Sequence, residues 1–261
     1  DAKKSLMSLS LLTALSALAS RIMVVTGKKQ VRSRPVPSLL NSLGKLGVDV
    51  HSTKSDETPP LVIFESEIEG GKKELDEDTD PRFLPAFLLL SSYTKEKVEL
   101  ELRSEFRNSR TDMAVEIMKE SGIEVDRNED LLTVQPGEYE TIEVESPPDI
   151  LSTVPFVVAA IITSSEIKIE KTDSSVREKE LNSFLEKAGI KSETKDGSII
   201  VPSSQTIKGK EYSLKDQPEL LPFAAVLACK AEGKTRIKDS ERARNMKTDR
   251  IVAMKEGLEK M

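Results

Sequence analysis

The sequence of 261 residues contains no tryptophan, one cysteine and one histidine. Because a disulfide needs two cysteines, none can form within the chain, and a reducing cytoplasm is the expected compartment. The single histidine, His51, argues against a metal site built on several histidines and against a serine–histidine–aspartate triad. We expect His51 on the surface at the end of a strand, and Cys229 in the core because it lies in an apolar helix.

Aromatic residues are also scarce, at 4% against 37% for all hydrophobic residues, so the cores must be built from leucine, valine, isoleucine and alanine. The charges have mixed sign and a net value of −6, whereas a nucleic-acid-binding protein has a strongly basic surface. The apolar stretch at residues 6–19 is shorter than the roughly 20 residues that cross a bilayer, and no signal-peptide cleavage site follows it. We therefore expect neither a nucleic acid nor a membrane as partner.

One pattern recurs along the chain: an amphipathic helix, a glycine and then a strand. The glycines are Gly47, Gly122 and Gly189, and a further copy begins at Leu258. Glycine at this point is the usual helix C-cap. The spacing of roughly 70 residues indicates a repeated supersecondary unit rather than a solenoid repeat. Because a repeat begins at the end of the sequence, we expect the chain to be a piece of something longer.

Each repeat is predicted to hold two helices and several strands. The first helix of each pair is the more apolar, which favours apolar helices inside and sheets outside. Helices are predicted at residues 5–19, 37–46, 83–90, 111–121, 150–162, 177–188 and 220–231, and from about 248. Strands are predicted at residues 22–26, 48–51, 61–64, 98–102, 123–126, 131–134, 166–170, 190–194, 199–201 and 235–237.

Proline, glycine and acidic residues at 137–148 interrupt this pattern and predict a domain boundary. The expected domains are residues 1–143 and 144–261, with about two repeats each. The acidic, glycine-bearing segment at residues 69–80 is predicted to be a solvated loop.

A basic loop follows the last apolar helix and contains Arg242, Arg244, Lys247 and Arg250. Such a cluster must meet anions or water. At the start of a helix it forms a phosphate or carboxylate site, because the first backbone N–H groups of the helix also attract anions. The other interpretation of the charge alone is a solvated basic turn.

The segment RNMKTDR at residues 244–250 resembles the R-x-K-E-[ST]-D-R motif of the 5-enolpyruvylshikimate-3-phosphate synthases. The preceding Pro218-Glu219 resembles the family's Pro-Asp, and Arg34-Pro35 resembles the first residues of its R-P-x-x-x-L motif. Thr26-Gly27 stands seven residues before Arg34, as in that family. The resemblance covers nearly the whole chain, but it begins inside the family's second repeat and ends in its fifth.

This resemblance implies an α/β protein with a two-domain, inside-out, barrel-like fold built from repeated βαβαββ units. It also implies a transferase of the shikimate pathway, in aromatic amino acid biosynthesis. In that family phosphoenolpyruvate and shikimate 3-phosphate bind between the domains, and addition followed by elimination gives the enolpyruvyl ether and phosphate. No cofactor is needed. Incomplete repeats would leave an apolar surface through which copies of the chain associate.

The site residues are carried over one by one. Glu219 stands at the family's aspartate, which takes a proton from the substrate hydroxyl, and Lys247 is the other candidate catalytic residue. Arginines suit phosphate and carboxylate because the guanidinium group can donate two parallel hydrogen bonds. The candidate substrate-binding residues are Arg34 and Arg250 for phosphoenolpyruvate, and Arg244, Arg82 and Arg110.

Several positions depart from the family pattern. Met246 stands at its catalytic lysine and Lys247 at its catalytic glutamate. Asp80-Pro81-Arg82 replaces the family's S-S-Q, which holds the substrate phosphate. Two alternatives therefore stay open: an inactive relative that binds an anionic ligand or a protein partner, and a different enolpyruvyl transferase, such as one acting on UDP-N-acetylglucosamine.

Overall fold

The computed structural model describes residues 1–77, 79–103, 106–128, 130–144, 150–170, 175–203, 205–215, 217–246 and 248–261. Within them the chain is a mixed α/β protein that divides into two units, Asp1–Glu143 and Val144–Met261. Each unit has a hydrophobic core of its own. Residues 145–149, which include the end of the predicted boundary segment, lie outside the described part of the chain.

In the first unit, helices alternate with short strands. The helices are α1 (Leu6–Ser16), α2 (Lys29–Arg32), α3 (Pro37–Lys45), α4 (Leu84–Ser91) and α5 (Ser109–Glu120). The strands are β1 (Met23–Val25), β2 (Val50–Ser52), β3 (Leu61–Ile63), β4 (Gly71–Lys73), β5 (Val98–Glu101), β6 (Val125–Arg127) and β7 (Leu131–Val134).

Two sheets form in this unit. In the first, β3 lies between β1 and β2 and is antiparallel to both. In the second, the order is β4-β5-β7-β6; β4 and β5 are parallel, and the other neighbours are antiparallel. The order β1-β3-β2 is thus repeated in β5-β7-β6.

Helix α4 lies at the centre of the first core. Its side chains Phe87 and Leu88 are fully buried, and the helix packs against α1, α3 and α5. Burying a side chain of this size stabilises the fold by about 1.5–3 kcal/mol. Asp80 and Pro85 fix the start of this segment: Asp80 caps a 3-10 turn that leads into the helix, and Pro85 occupies its first turn, where no backbone donor is needed.

Helix α1 buries small polar residues and exposes leucines. Ser10 and Thr13 are fully buried and donate to the helix carbonyls of Met7 and Leu9, both at 2.8 Å, so neither hydroxyl is left unpaired. Leu15 is 43% exposed. The helix ends at Ser16, earlier than the predicted end at residue 19, because a turn and bends follow it.

The predicted glycine caps are confirmed. Gly47, Gly122 and Gly189 have positive φ values of 85°, 87° and 75°, which glycine adopts without a steric penalty. Each glycine N–H donates to the carbonyl three residues earlier, as Gly47 does to Gly44 at 2.9 Å. These hydrogen bonds satisfy carbonyls at the helix end and turn the chain towards the next strand.

The prediction of a solvated loop at residues 69–80 is wrong. Strand β4 lies within it, and Leu75 is buried. The strand has no apolar alternation because it sits at the edge of the sheet and is held by backbone pairing with β5. Gly70 permits this approach, since a Cβ there would lie 2.3 Å from the carbonyl oxygen of Glu96.

The second unit has a similar alternation. Its helices are α6 (Ile150–Ile162), α7 (Ser175–Ala188), α8 (Leu221–Lys230) and α9 (Arg250–Glu259). Its strands are β8 (Ile167–Ile169), β9 (Glu193–Lys195), β10 (Ser198–Val201), β11 (Glu211–Ser213) and β12 (Arg236–Lys238). Strand β10 lies between β8 and β9, antiparallel to both, while β11 and β12 are parallel. Strand β11 was not predicted.

The second core forms where α6 packs against α7 and α8. Val157 of α6 and Phe184 of α7 are fully buried. In α8 the buried residues Leu221, Ala224 and Leu227 recur every third position and define its inner face.

Two predictions concern single residues. Cys229 is exposed, so its predicted place in the core is wrong; it lies in the last turn of α8, away from the face that Leu221 and Leu227 define. His51 is exposed, as predicted, and its Nε2 lies 2.6 Å from Oδ1 of Asp49.

The two phenylalanines Phe87 and Phe156 provide a matched test of this packing. Phe87→Ala removes a fully buried ring and is expected to lower the free energy of unfolding by about 3–5 kcal/mol. Phe156→Ala removes a ring that is 66% exposed and is expected to cost less than about 1 kcal/mol. Urea unfolding followed by far-UV circular dichroism measures both; equal losses would contradict the position assigned to α4.

Candidate active site

The predicted base Glu219 lies in a 3-10 turn, Pro218–Leu220, directly before α8. Pro222 stands in the first turn of that helix, where proline's fixed φ suits a helix start. Leu220 is fully buried and anchors the turn, while Glu219 itself is half-buried. The turn therefore holds a carboxylate at the edge of the second core, where it can still be reached from solvent.

Arg250 contacts this turn. It is the first residue of α9, and its Nη1 donates a hydrogen bond to the backbone carbonyl of Glu219. A second 3-10 turn, Glu241–Asn245, packs against both α9 and the Glu219 turn, and Ala243 at its centre is fully buried. The structure thus brings together two residues that stand 31 positions apart in the sequence.

Asp249 links Arg244 to the same helix end. Its Oδ1 accepts a hydrogen bond from the Val252 N–H at 3.0 Å, which makes Asp249 the N-cap of α9. Its Oδ2 accepts from Nη1 of Arg244, also at 3.0 Å. The hydrogen bond from Val252 and then the contact with Arg244 hold the pKa of the Asp249 carboxyl below its usual value.

Sequence analysis did not single out Asp249, although an aspartate just before an amphipathic helix is a recognisable cap signal. Lys247, the second predicted catalytic residue, lies outside the described residues, and its role stays a prediction. Met246, beside it, is half-buried.

In the first unit, Arg34 stands between the short helix α2 and α3. Val31 and Val36 are buried on either side of it, and the Val36 N–H donates to the carbonyl of Glu57 at 3.0 Å. The backbone around Arg34 is therefore fixed at both ends. Arg34 is half-buried, and within the part of the chain that the structure describes its guanidinium has no hydrogen-bond or ion-pair partner.

Arg82 differs from Arg34 because a carboxylate already holds it. Its Nε lies 3.0 Å from Oδ1 and 2.9 Å from Oδ2 of Asp80, and its Nη2 also contacts Oδ2. The same carboxylate accepts the Arg82 backbone N–H at 3.0 Å. Asp80 and Arg82 thus form a two-point ion pair inside one turn, and their charges cancel there.

The two arginines near the start of α5 also have partners within the protein. Arg107 pairs with Asp130 and donates to the carbonyl of Leu102 at 3.3 Å. Arg110 lies half-buried in the first turn of α5, and its backbone N–H donates to Oδ1 of Asn108, the N-cap, at 3.0 Å. The contacts of Arg107 were not predicted, since Asp130 is distant in sequence and the Leu102 acceptor is a backbone group.

No group of three or more histidine, cysteine, aspartate or glutamate side chains in the described ranges could hold a metal ion. In the same ranges, each helix is too short or too polar to cross a membrane.

Comparison with known proteins places the chain beside one group of enzymes. The model of the family EPSP synthase (3-phosphoshikimate 1-carboxyvinyltransferase) matches residues 1–261. A relative from Methanocaldococcus jannaschii named 3-phosphoshikimate 1-carboxyvinyltransferase is 29% identical over an alignment of 258 residues that covers 96% of this chain and 60% of that protein.

Solved structures resemble the chain in fold. EPSP synthase from Acinetobacter baumannii superposes with a TM-score of 0.76 at 21% identity, covering 98% of this chain and 60% of that one. The enolpyruvyl transferase NikO from Streptomyces tendae gives 0.70 at 16% identity, covering 88% and 55%. The chain thus spans about three fifths of the length of its relatives. Because the family match runs from the first residue to the last, this chain belongs to the EPSP synthase family.

Proposed function

We propose that this chain takes part in enolpyruvyl transfer from phosphoenolpyruvate to shikimate 3-phosphate, the 3-phosphoshikimate 1-carboxyvinyltransferase reaction. The observation that carries the proposal is the hydrogen bond from Arg250 to the backbone carbonyl of Glu219, which brings together residues of two separate family motifs. The family match over the whole chain supports the assignment of this contact to the enolpyruvyl-transfer site.

The domain and repeat architecture is proposed together with this function. We infer that the two units are the domains predicted at residues 1–143 and 144–261, and that each is built from βαβαββ repeats with apolar helices inside. The strand orders β1-β3-β2, β5-β7-β6 and β8-β10-β9 support this, as do the parallel pairs β4-β5 and β11-β12.

Glu219 is assigned the role of general base. In the addition step, the substrate hydroxyl attacks C2 of phosphoenolpyruvate, and the hydroxyl proton passes to the Glu219 carboxylate. The methylene carbon gains a proton from solvent in the same step. Elimination then expels phosphate and returns a proton from the new methyl group to solvent, which leaves the enolpyruvyl ether. The half-buried position of Glu219 suits this role, since the carboxylate remains accessible to a substrate.

Arg34 and Arg250 are assigned to phosphoenolpyruvate, whose phosphate and carboxylate are both anionic. The guanidinium of Arg34 has no protein partner in the described residues, so an anion there need not displace an existing ion pair. Arg250 uses Nη1 for the Glu219 carbonyl and keeps other N–H groups on its fork. Arg244 supports the site through Asp249, which it contacts at 3.0 Å.

Arg82 and Arg110 are assigned to the second substrate. The ion pair between Asp80 and Arg82 reduces the attraction that this turn offers to a phosphate. Together with Met246 at the family's lysine position, this pair favours the alternative of a relative that binds an anion without turnover. Measurements of phosphate release and of ligand-induced stabilisation distinguish catalysis from binding without turnover.

Phosphate release tests catalysis. Incubation of the chain with phosphoenolpyruvate and shikimate 3-phosphate is expected to release phosphate. Glu219→Gln is expected to lower kcat by about 100-fold or more, because a general base contributes about 10²–10⁴ to the rate. The matched control is Glu241→Gln, at an exposed carboxylate of the neighbouring turn. Equal kcat values for the wild-type chain and Glu219→Gln would remove Glu219 from the mechanism.

Thermal unfolding tests binding without requiring turnover. Phosphoenolpyruvate at about 100 times its Kd is expected to stabilise the chain by about 2.7 kcal/mol and to raise Tm accordingly. Arg34→Ala is expected to abolish most of this shift, whereas Arg32→Ala, two residues away and exposed, is expected to retain it. A shift in the wild-type chain without phosphate release would favour the binding alternative. The same shift in both variants would reject Arg34 as a ligand.

A further inference from the structure

The turn that carries Glu219 is tied to a second helix as well as to α9. Gln217 stands at the N-cap position of this turn, but its side chain does not cap it. The Nε2 of Gln217 instead donates a hydrogen bond to the backbone carbonyl of Glu180, in α7, at 2.9 Å. Because the two residues are 37 positions apart, this hydrogen bond is a tertiary contact between the turn and a neighbouring helix.

The backbone of Gln217 belongs to the same arrangement. Its N–H donates to the carbonyl of Leu214 at 3.1 Å, and its carbonyl accepts the Leu220 N–H at 3.0 Å. Leu214 and Leu220 are fully buried, so this segment is anchored in the second core on both sides of Gln217. A constraint on the Gln217 side chain is therefore also a constraint on the turn that follows it.

The amide of Gln217 is buried and only half paired. The residue is 6% exposed, and within the described part of the chain its buried Oε1 has no hydrogen-bond partner. An unpaired buried oxygen destabilises the folded state, whereas an apolar side chain of similar shape avoids that loss. The Glu180 carbonyl does not require the amide either, since a carbonyl inside an α-helix accepts the N–H four residues later. Stability alone thus favours an apolar residue at position 217.

Gln205, in the same unit, has the opposite pairing. Its Oε1 accepts the Lys191 N–H at 2.6 Å, and its Nε2 donates to the carbonyls of Lys191 and Pro202 at 2.9 and 3.2 Å. Both ends of this amide satisfy backbone groups, as expected of a glutamine that stabilises the fold. Gln217 differs because one end of its amide is left unpaired in the interior.

The hydrogen bonds of Gln217 and Arg250 hold the Glu219 turn to two different helices. Gln217 ties the residue before Pro218 to α7, and Arg250 ties the residue after it to α9. With the backbone held on both sides of Pro218, the direction of the Glu219 side chain is restricted as well. Such restriction matters for a catalytic group, since a misplacement of about 1 Å can lower a rate by about 100-fold.

We propose that Gln217 is a positioning residue for the Glu219 turn. Its side-chain amide holds the turn to α7 and thereby keeps the Glu219 carboxylate where a substrate hydroxyl can reach it. The unpaired Oε1 is the loss of stability that accompanies this amide. The role rests on the proposed function, because Gln217 acts on the reaction only through Glu219.

Gln217→Met tests the positioning. Methionine has a similar length and shape, but it cannot donate to the Glu180 carbonyl and places no amide oxygen in the interior. Tm is expected to stay within about 3 °C of the wild-type value or to rise. Amide hydrogen exchange of the Leu220 N–H is expected to become at least about tenfold faster, because the turn loses its contact with α7. Exchange in β10 is the internal control and is expected to stay unchanged.

Gln205→Met is the matched control and is expected to give the opposite result. It removes hydrogen bonds from both ends of an amide, so Tm is expected to fall. The exchange rate of the Leu220 N–H and kcat are expected to stay at their wild-type values. The two variants together separate the position of the turn from the stability of the unit.

Turnover provides a second measurement. In the phosphate-release assay, Gln217→Met is expected to lower kcat by at least about tenfold and to leave KM for phosphoenolpyruvate within about threefold. KM is expected to persist because Asp249 still caps α9, which carries Arg250. A general loss of stability would not separate kcat from KM in this way.

The exchange measurement judges the role of Gln217 independently of turnover. A wild-type chain that releases no phosphate would remove the proposed function, while exchange at Leu220 would still show whether Gln217 holds the turn. Unchanged exchange at Leu220 in Gln217→Met would overturn the proposal. A large fall in Tm with faster exchange in β10 would overturn it too, because the amide would then stabilise the whole unit. So would faster exchange at Leu220 with an unchanged kcat in a chain that turns over.

Discussion

The hydrogen bond from Arg250 to the carbonyl of Glu219 is the interaction on which the candidate site depends. It ties the start of α9 to the turn before α8. Asp249 supports this contact by capping α9 and accepting a hydrogen bond from Arg244. The start of α9 thus positions the turn that carries Glu219 and the guanidinium groups of Arg244 and Arg250. The turns involved are anchored by the buried residues Leu220 and Ala243. Hydrophobic packing therefore supports the polar geometry, as a preorganised site requires.

A second constraint on the candidate site is that carboxylates already pair with several of its arginines. Asp80 and Asp130 hold Arg82 and Arg107, and Asp249 holds Arg244. Arg34 is different, because the described residues offer its guanidinium no partner. Exposed ion pairs contribute little to stability. The main effect of these carboxylates is therefore to reduce the attraction of the paired arginines for an anionic ligand. We propose Arg34 as a ligand of an anionic substrate because of this contrast and because of its place in the family motif.

Much of the fold could be predicted because apolar periodicity and glycine caps are local signals; β7 and α6 have the predicted bounds, Leu131–Val134 and Ile150–Ile162. Strands β4 and β11 were missed because backbone pairing holds them without an apolar pattern, and Cys229 was misplaced because its helix face was not considered. In the candidate site, the motifs singled out Glu219 and Arg250, which the structure brings into contact and whose roles stay a prediction. The ion pair of Asp80 with Arg82 and the cap at Asp249 depend on three-dimensional geometry that residue types alone do not encode.

The most direct measurement of the central claim is a titration with phosphoenolpyruvate followed by NMR of the arginine Nε–H groups. The account predicts that the signals of Arg34 and Arg250 shift on binding, while those of Arg82 and Arg107, already held by carboxylates, stay in place. Shifts confined to Arg82 and Arg107, with Arg34 and Arg250 unchanged, would contradict it.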